Sequence, residues 1–575
     1  MQRKLLEKAR ALLAAERGTV IKAQGAEIEV ALAYPNTYHV GMSNLGVHQL
    51  YAVLNRRGDT ACERVFLPDE EDREAFGPGG TQLFSLESQR PVKQFDILAF
   101  SVSFEQDYMN VLEMLRFAGI APDKGDRTGD DPLLVLGGVC TFFNPEPLAD
   151  LFDVVIVGEG EEVADEFLDS YGRNREKERQ GLLRTLCSIP GVYIPGFYEV
   201  SYKDDGTIRE RRPLLPEAPA IIRKRSVADI DSRPATTFIL TPDTEFSNMH
   251  LAEVTRGCGR HCRFCMAGYI YLPPRNLSAQ GGQEQASKAD ARCGKIGLVG
   301  SALSDYPAID DLCASIQGSL SVSSLRADSL SRVLIERLAK SGHKTIAIAP
   351  EAGSERLRKV INKGVTAADI LRAADLVFGA GIPNLKLYFI IGLPTETQED
   401  IDAIIALAEQ VRQVQLRHAR PAGRIGRITL SVNSFVPKPF TPFQWEPMEE
   451  VASLNRKQRL LEKAVKKIGN MNIIHDLPKW EAVQALLSRG DRRVGRLLRT
   501  AHERGGDWKA ACRVLGFDMA FTVTRRRAFD EVLPWDFIDI GVRKEYLKNE
   551  YGRALEGRYT PPCKVGTCTA CGVCG

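Results

Sequence analysis

The sequence predicts an α/β chain: an open parallel α/β domain, then a partial (β/α)6 barrel, then a helical C-terminal region with a cysteine-rich tail. Three observations predict it. From residue 20 to about 225, short β-branched-rich runs ending in Gly, Ser or Pro alternate with longer helical patterns. From 249 to about 440 the alternation resumes, with a polar or glycine-rich motif at the end of each strand, where barrel active sites lie. Of thirteen cysteines, seven fall in two tight groups and the other six are scattered. That fits metal ligands in a reducing compartment better than a disulfide framework.

Composition sets the outer bounds. A chain of 575 residues, 44% hydrophobic and 26% charged, can build two or three full cores. A net charge of +2 argues against wholesale coating of nucleic acid. Residues 1–17 set charges against Leu and Ala at helical spacing and contain no signal-type apolar core. No run of eighteen apolar residues exists, so no membrane partner is expected and the location expected is cytoplasmic.

In the front domain, residues 1–225, the strand candidates are 27–33, 96–103, 133–136 and 153–157. Helical patterns at 46–57 and 108–118 separate them. Ligands on such sheets sit beyond the carboxyl ends of the strands. The small residues there are Gly41, Ser43, Ser101, Ser103, Gly137, Gly138, Gly158 and Gly160. Ordinary turn glycines would explain any one of them. Residues 226–248 mix charge with proline and read as a linker with some strand pairing.

The core, 249–445, has strands ending at 254, 299, 324, 349, 391 and 433. Cys258, Cys262 and Cys265 follow the first in a C-x3-C-x2-C spacing. Four cysteines normally saturate a [4Fe–4S] cluster. Three leave one iron open, as in a catalytic metal site, able to chelate a small molecule and pass it an electron. Gly257 and Gly259 permit a tight loop, and Arg256, Arg260 and Arg263 are expected to offset the cluster's charge. Structural zinc on the three cysteines and His261 is the other reading.

The stretch 253–265, including Phe264 before the last cysteine, resembles the signature of the radical S-adenosylmethionine (SAM) enzymes. The resemblance implies that SAM binds the open iron and is cleaved reductively to methionine and a 5′-deoxyadenosyl radical. The electron would come from a flavodoxin- or ferredoxin-type donor. It further implies SAM contacts from the turn at Ser301, from Glu351 after strand four, from Lys363 on the next helix, and from the Gly392-Leu393 turn after strand five. For Lys363 a solvated helix face is the alternative. Segment 434–442 resembles the piece that closes the barrel in enzymes that also modify tRNA.

The front domain resembles the cobalamin-binding domain that precedes many radical SAM cores. The match lies in Tyr34-Pro35, Gly41 and Leu45-Gly46, in the Gly137-Gly138 turn, and in the run 153–161. It implies cobalamin contacts at Gly41, Ser43, Ser103, Gly137, Gly138 and Gly158. The Asp-x-His-x-x-Gly pattern that supplies a histidine to cobalt is absent, and His39 does not fit it. A vestigial scaffold is the other reading. Together the two domains resemble the B12-binding radical SAM proteins of bacteria.

Residues 446–560 are expected to be helical. Between 452 and 500 twelve Lys/Arg face four Asp/Glu, densest at 488–499. With segment 434–442 this favours RNA as a partner; a solvated helix face is the alternative. The tail, 561–575, spaces Cys563, Cys568, Cys571 and Cys574 as C-x4-C-x2-C-x2-C. Both an auxiliary iron–sulfur cluster and structural zinc satisfy that count. The expectation is a radical SAM enzyme, with methyl transfer through cobalamin, sulfur insertion and rearrangement all open. The rival is a cobalamin or SAM sensor without radical chemistry.

Overall fold

The computed structural model describes all residues but Met1, Gln24, Ser324, Arg424 and Gly575, and the side chains of Pro421 and Ala422. The front sheet has six strands: β1 Ile28–Tyr34, β2 Thr60–Phe66, β3 Ile97–Ser101, β4 Leu133–Gly137, β5 Val154–Ile156 and β6 Val192–Tyr193. They lie in the order β2-β1-β3-β4-β5-β6, parallel except for β6. The buried, apolar character of β1, β4 and β5 reflects cover on both faces. Strand β2 escapes the sequence pattern because it carries Glu63 and Arg64. Arg64 is nevertheless buried, its guanidinium 2.7 Å from both Glu16 and Glu87.

The barrel is built from two parallel sheets. His250–Arg256, Lys295–Gly300 and Ser319–Val322 form one, with antiparallel Arg275–Asn276 on its edge. Thr345–Glu351, Asn384–Ile391, Ile428–Ser434 and Met471–Ile474 form the other. A parallel bridge between Leu325 and Ile348 joins them. The barrel therefore has seven parallel strands, one more than expected; Met471–Ile474 lies in the stretch read as helical. The expected end of strand three, Ser324, lies outside the described residues.

The C-terminal helices include Val451–Val465, Pro478–Arg489, Arg493–Glu503 and Lys544–Leu555. Part of their basic stretch is engaged within the chain, while Arg456, Arg459, Lys463, Lys466, Lys467, Lys479 and Arg496 are exposed. Arg489 is fully buried. Arg492 bonds Glu146 and the Tyr193 hydroxyl, Arg493 bonds Asp491, and Arg499 pairs with Asp123. Asn144 donates to the Ser488 and Gly490 carbonyls at 3.0 and 2.7 Å. These arginines attach the helices to the front domain. Arginines so engaged are not available to phosphates, whereas the exposed basic residues of Val451–Val465 remain a solvated face.

Candidate active site

The first barrel strand ends at Arg256, and the chain turns at Gly257. There φ is +83°, and a Cβ would stand 2.5 Å from the Tyr271 carbonyl oxygen, so only glycine fits. The loop that follows places Cys262 in a buried position and Cys258 and Cys265 in half-buried ones. His261, between them, has φ +54° and a buried Nδ1 without a hydrogen-bond partner.

The three thiols act on one another electrostatically. Burial and the neighbouring Cys262 and Cys258 push the Cys265 thiol up to about 12. Burial, then Cys262, also raises Cys258. Three thiolates can share this loop only with cationic charge among them, so the donor set fits a metal cluster. Among the described residues the three sulfurs do not group within 4.8 Å of one another, with or without His261. Sulfurs on one tetrahedral zinc, each about 2.3 Å from the metal, would lie only ~3.8 Å apart. The spacing suits thiolates that bind different irons of a cubane.

The three arginines have other partners than expected. Arg256 bonds Glu159, Glu161 and Glu253; Arg260 bonds Asp305 and Asp328; Arg263 bonds Glu550 and the carbonyls of Lys359, Val360 and Arg558. The cations whose charge meets Cys262 are Arg326 and Lys363. Arg326 was not legible beforehand.

The expected SAM residues fall at the barrel mouth with different surroundings. Lys363 Nζ donates to Glu351 Oε1 at 2.9 Å, and both are shielded from solvent. Glu351 has φ +67° at a bulge in its strand, a backbone conformation uncommon for a residue with a side chain. Ser301 is exposed on the turn after Gly300. The Gly392 N–H donates to Glu396, which Lys457 holds at 2.6 Å, so that donor is occupied. Leu393 is buried in a cluster with Phe435, Phe443 and Tyr551, against which Phe264 of the cysteine loop packs.

A cavity of about 610 Å³ lies between the two domains. On the front side it is lined by Ser101, Ser103, Gly137, Gly138 and Gly158 at strand ends. On the barrel side Thr255, Gly257, Gly300 and Ser301 line it. It continues as an apolar channel over Leu32, Ala99 and Val135, beneath the helices Leu45–Arg56 and Gly160–Asn174. No histidine is among its lining residues. Gly41 and Ser43 are not among them either. A Cβ on Gly41 would strike the Phe66 ring at 2.4 Å, and the Ser43 hydroxyl donates to the His39 carbonyl.

Two lining glycines are explained by backbone packing alone. A Cβ on Gly138 would meet Val102 O at 2.4 Å, and one on Gly158 would meet Arg225 O at 2.3 Å. Gly137 differs: a Cβ there would find only Phe100 O, at 3.8 Å.

At the cavity edge Glu159, Glu161 and Arg256 join a buried ion network with Glu253 and Arg275. Glu159 sits 2.8 Å from both Arg256 and Arg275. The Gly158-Glu-Gly160 motif thus ties the front domain to the foot of the cysteine loop.

A parallel-sheet domain and a partial barrel that open on one cavity, with the turn into a three-cysteine loop at its edge, define a two-domain protein built around a candidate metal loop. Residues 46–195 match the family described as radical SAM proteins, N-terminal, and residues 252–408 match the radical SAM superfamily. Protein MJ0966 of Methanocaldococcus jannaschii, itself uncharacterized, is 31% identical over 479 residues, 82% of this chain and 90% of that protein. An uncharacterized methyltransferase of Pyrococcus horikoshii is 24% identical over 49% of this chain and 59% of its own length. A tRNA-2-methylthio-N(6)-dimethylallyladenosine synthase of Jannaschia sp. is 28% identical over 29% of this chain and 42% of its own. The cobalamin-dependent SAM radical enzyme OxsB, with aqua-cobalamin bound, aligns over 92% of this chain and 80% of its own. Its TM-score is 0.46 at 14% identity, too loose a likeness to argue from.

The chain belongs to the radical SAM superfamily, and its cofactors are a [4Fe–4S] cluster and SAM. Among the described residues no helix is long and apolar enough to cross a membrane.

Proposed function

We propose that the chain is a radical SAM methyltransferase whose front domain presents a cobalamin to the cysteine loop across the shared cavity. One observation carries the reading: the carboxyl ends of both sets of strands line a single space, from Ser103 and Gly137 to Thr255 and Ser301. When bound there, the cluster and SAM supply a 5′-deoxyadenosyl radical on one-electron reduction, and cobalamin supplies a methyl-carrying cobalt.

The chain's residues divide the work. Cys258, Cys262 and Cys265 hold the cluster, and Glu351 and Lys363 offer a paired acid and base to the polar end of SAM. At Gly137 the absence of a side chain leaves the cavity open for a flat ring. The Ser103 hydroxyl accepts from Asn44 Nδ2 at 3.2 Å and lines the cavity, where it offers a polar contact to an amide on the ring's rim. The apolar channel suits a long ligand whose tail leaves the ring. The Glu159–Arg256–Arg275 network holds the two walls together and keeps water from the seam.

The test is anaerobic reconstitution with iron, sulfide and hydroxocobalamin, then desalting. The proposal expects a retained cobalamin spectrum, and 5′-deoxyadenosine on addition of reductant and SAM. A colourless front domain in a protein that still cleaves SAM would remove the methyl-transfer reading alone. Cobalamin bound with no SAM cleavage would support the sensor.

A further inference from the structure

The tail is packed onto the cysteine loop. Cys563 N–H donates to the Gly259 carbonyl at 2.7 Å, and a Cβ on Gly259 would lie 3.2 Å from Cys563 Cβ. Asn362, buried and at φ +53°, clasps both segments. Its Nδ2 donates to the carbonyls of Arg260, His261 and Thr560, and its Oδ1 accepts from Thr560 N–H. Arg263 of the loop donates to the Arg558 carbonyl and the Thr560 hydroxyl.

The four tail cysteines fall within twelve residues, beside Tyr546 and the turn held by Arg543. Cys568, Cys571 and Cys574 all lie near enough to Cys563 to act on it electrostatically, and Tyr546 faces three of the four. Arg543 fixes the turn between them: its N–H donates to the Cys571 carbonyl and its guanidinium to those of Thr569 and Ala570. Yet among the described residues no three tail sulfurs lie within 4.8 Å of one another. Tetrahedral zinc would hold them ~3.8 Å apart, whereas a cubane takes one thiolate on each iron and spreads them.

The tail also lies on the solvent side. Cys563, Cys568 and Cys574 are half-buried, as Cys258 and Cys265 are, and Cys571 is buried, as Cys262 is; but residues 564–567 between the tail thiols are exposed, Val565 at 53%. The Tyr546 ring sits 6.0 Å from that of His261, the residue before Cys262. One backbone hydrogen bond and one pair of rings therefore link the two thiol sets.

We propose that Cys563, Cys568, Cys571 and Cys574 hold a second [4Fe–4S] cluster, through which single electrons pass from an external donor to the cluster on Cys258, Cys262 and Cys265. The donor is of the flavodoxin or ferredoxin class. It loses one electron, the tail cluster gains it and then loses it inward, and the inner cluster goes from its 2+ to its 1+ state. No proton or bond changes hands. The proposal rests on the radical SAM assignment of the inner site, and the test separates the two.

Full-length protein and the Cys568→Ala/Cys571→Ala variant are compared after anaerobic reconstitution. Iron per chain is expected to fall from about eight atoms to about four, with the SAM-responsive paramagnetic signal of the inner cluster kept under dithionite. Reduction of that inner cluster by reduced ferredoxin, followed by rapid-freeze spectroscopy, is expected to slow by an order of magnitude. Reduction by dithionite, small enough to reach the loop directly, is expected to keep its rate. In Cys258→Ala/Cys262→Ala/Cys265→Ala protein about four irons are expected to remain, on the tail. One zinc per chain lost from the double variant, with iron unchanged, would overturn the iron–sulfur assignment. Ferredoxin rates equal in wild type and variant would overturn the electron path. Absence of any SAM-responsive signal in wild type, with about four irons surviving in the triple variant, would fault the inner site and leave the tail cluster standing.

Discussion

Replacing Glu159 with Gln should loosen the junction between the two domains. The Glu159 carboxylate is buried and lies 2.8 Å from Arg256 and 2.8 Å from Arg275. Arg256 would keep Glu161 at 2.9 Å and Glu253 at 2.7 Å. Arg275 has no second carboxylate among its pairs; the carbonyls of Val227 and Tyr271 are its remaining acceptors. Stranding one member of a buried pair costs about 3–5 kcal/mol. Gln keeps an acceptor oxygen, so we expect the low end, about 3 kcal/mol. The control is Glu7→Gln, whose partner Arg3 is 92% exposed, with an expected effect below about 0.5 kcal/mol. Urea unfolding at pH 7 reads both.

The pH dependence has a definite sign. Burial pushes the Glu159 carboxyl up, but hydrogen bonds from Arg275 and the charges of Arg256 and Arg275 pull harder and hold it below the usual range. A lowered folded pKa gives stability that is complete above the unfolded value, about 4.3, and lost as pH falls through the folded one. The gap between wild type and Glu159→Gln should therefore be full at pH 7 and shrink only below about pH 4. A loss under about 1 kcal/mol at pH 7, or a gap that grows on acidification, would refute the reasoning.

Three further outcomes follow from the site. Cys262→Ala should abolish the SAM-responsive signal in electron paramagnetic resonance and all 5′-deoxyadenosine formation; retained product would contradict the loop assignment. Gly137→Leu should prevent retention of hydroxocobalamin on desalting with little change in thermal stability, because its Cβ position is open, while His39→Ala should retain it. Gly138→Leu is a poor probe, since its clash with the Val102 backbone destabilises the fold itself. Lys363→Met should weaken SAM binding by about 1.5–3 kcal/mol, the worth of a hydrogen bond to a charged group, as read by equilibrium dialysis. Unchanged affinity would show that Lys363 serves only Glu351.

Much of this was legible because local chemistry carried it. The C-x3-C-x2-C loop, the strand-end glycines and the alternation of strands and helices are short-range patterns. What escaped was set by tertiary contacts. Strand β2 hid behind Arg64, whose charge is balanced by Glu16 and Glu87 from distant segments. Met471–Ile474 is too short to show a period. The arginines beside the cysteines looked like counter-charges for the cluster, but each had a carboxylate elsewhere in the chain, out of reach of spacing arguments. In the basic run at 488–499, Glu146, Asp123 and a buried carbonyl take the charges of Arg492, Arg499 and Arg489, while Arg496 stays exposed. Glycines were visible as glycines, but only the positions their Cβ atoms would occupy separate Gly137, open to the cavity, from Gly138 and Gly158, required by the backbone.

The central claim is that cobalamin and the catalytic cluster face each other across one cavity. Its most direct measurement is electron paramagnetic resonance of the reconstituted protein with the inner cluster reduced and cobalamin as cob(II)alamin, using the Cys568→Ala/Cys571→Ala variant to leave a single cluster. The account predicts a spectrum split or broadened by coupling between the two spins, and loss of that coupling in Gly137→Leu. A spectrum equal to the sum of the two centres recorded separately would contradict it.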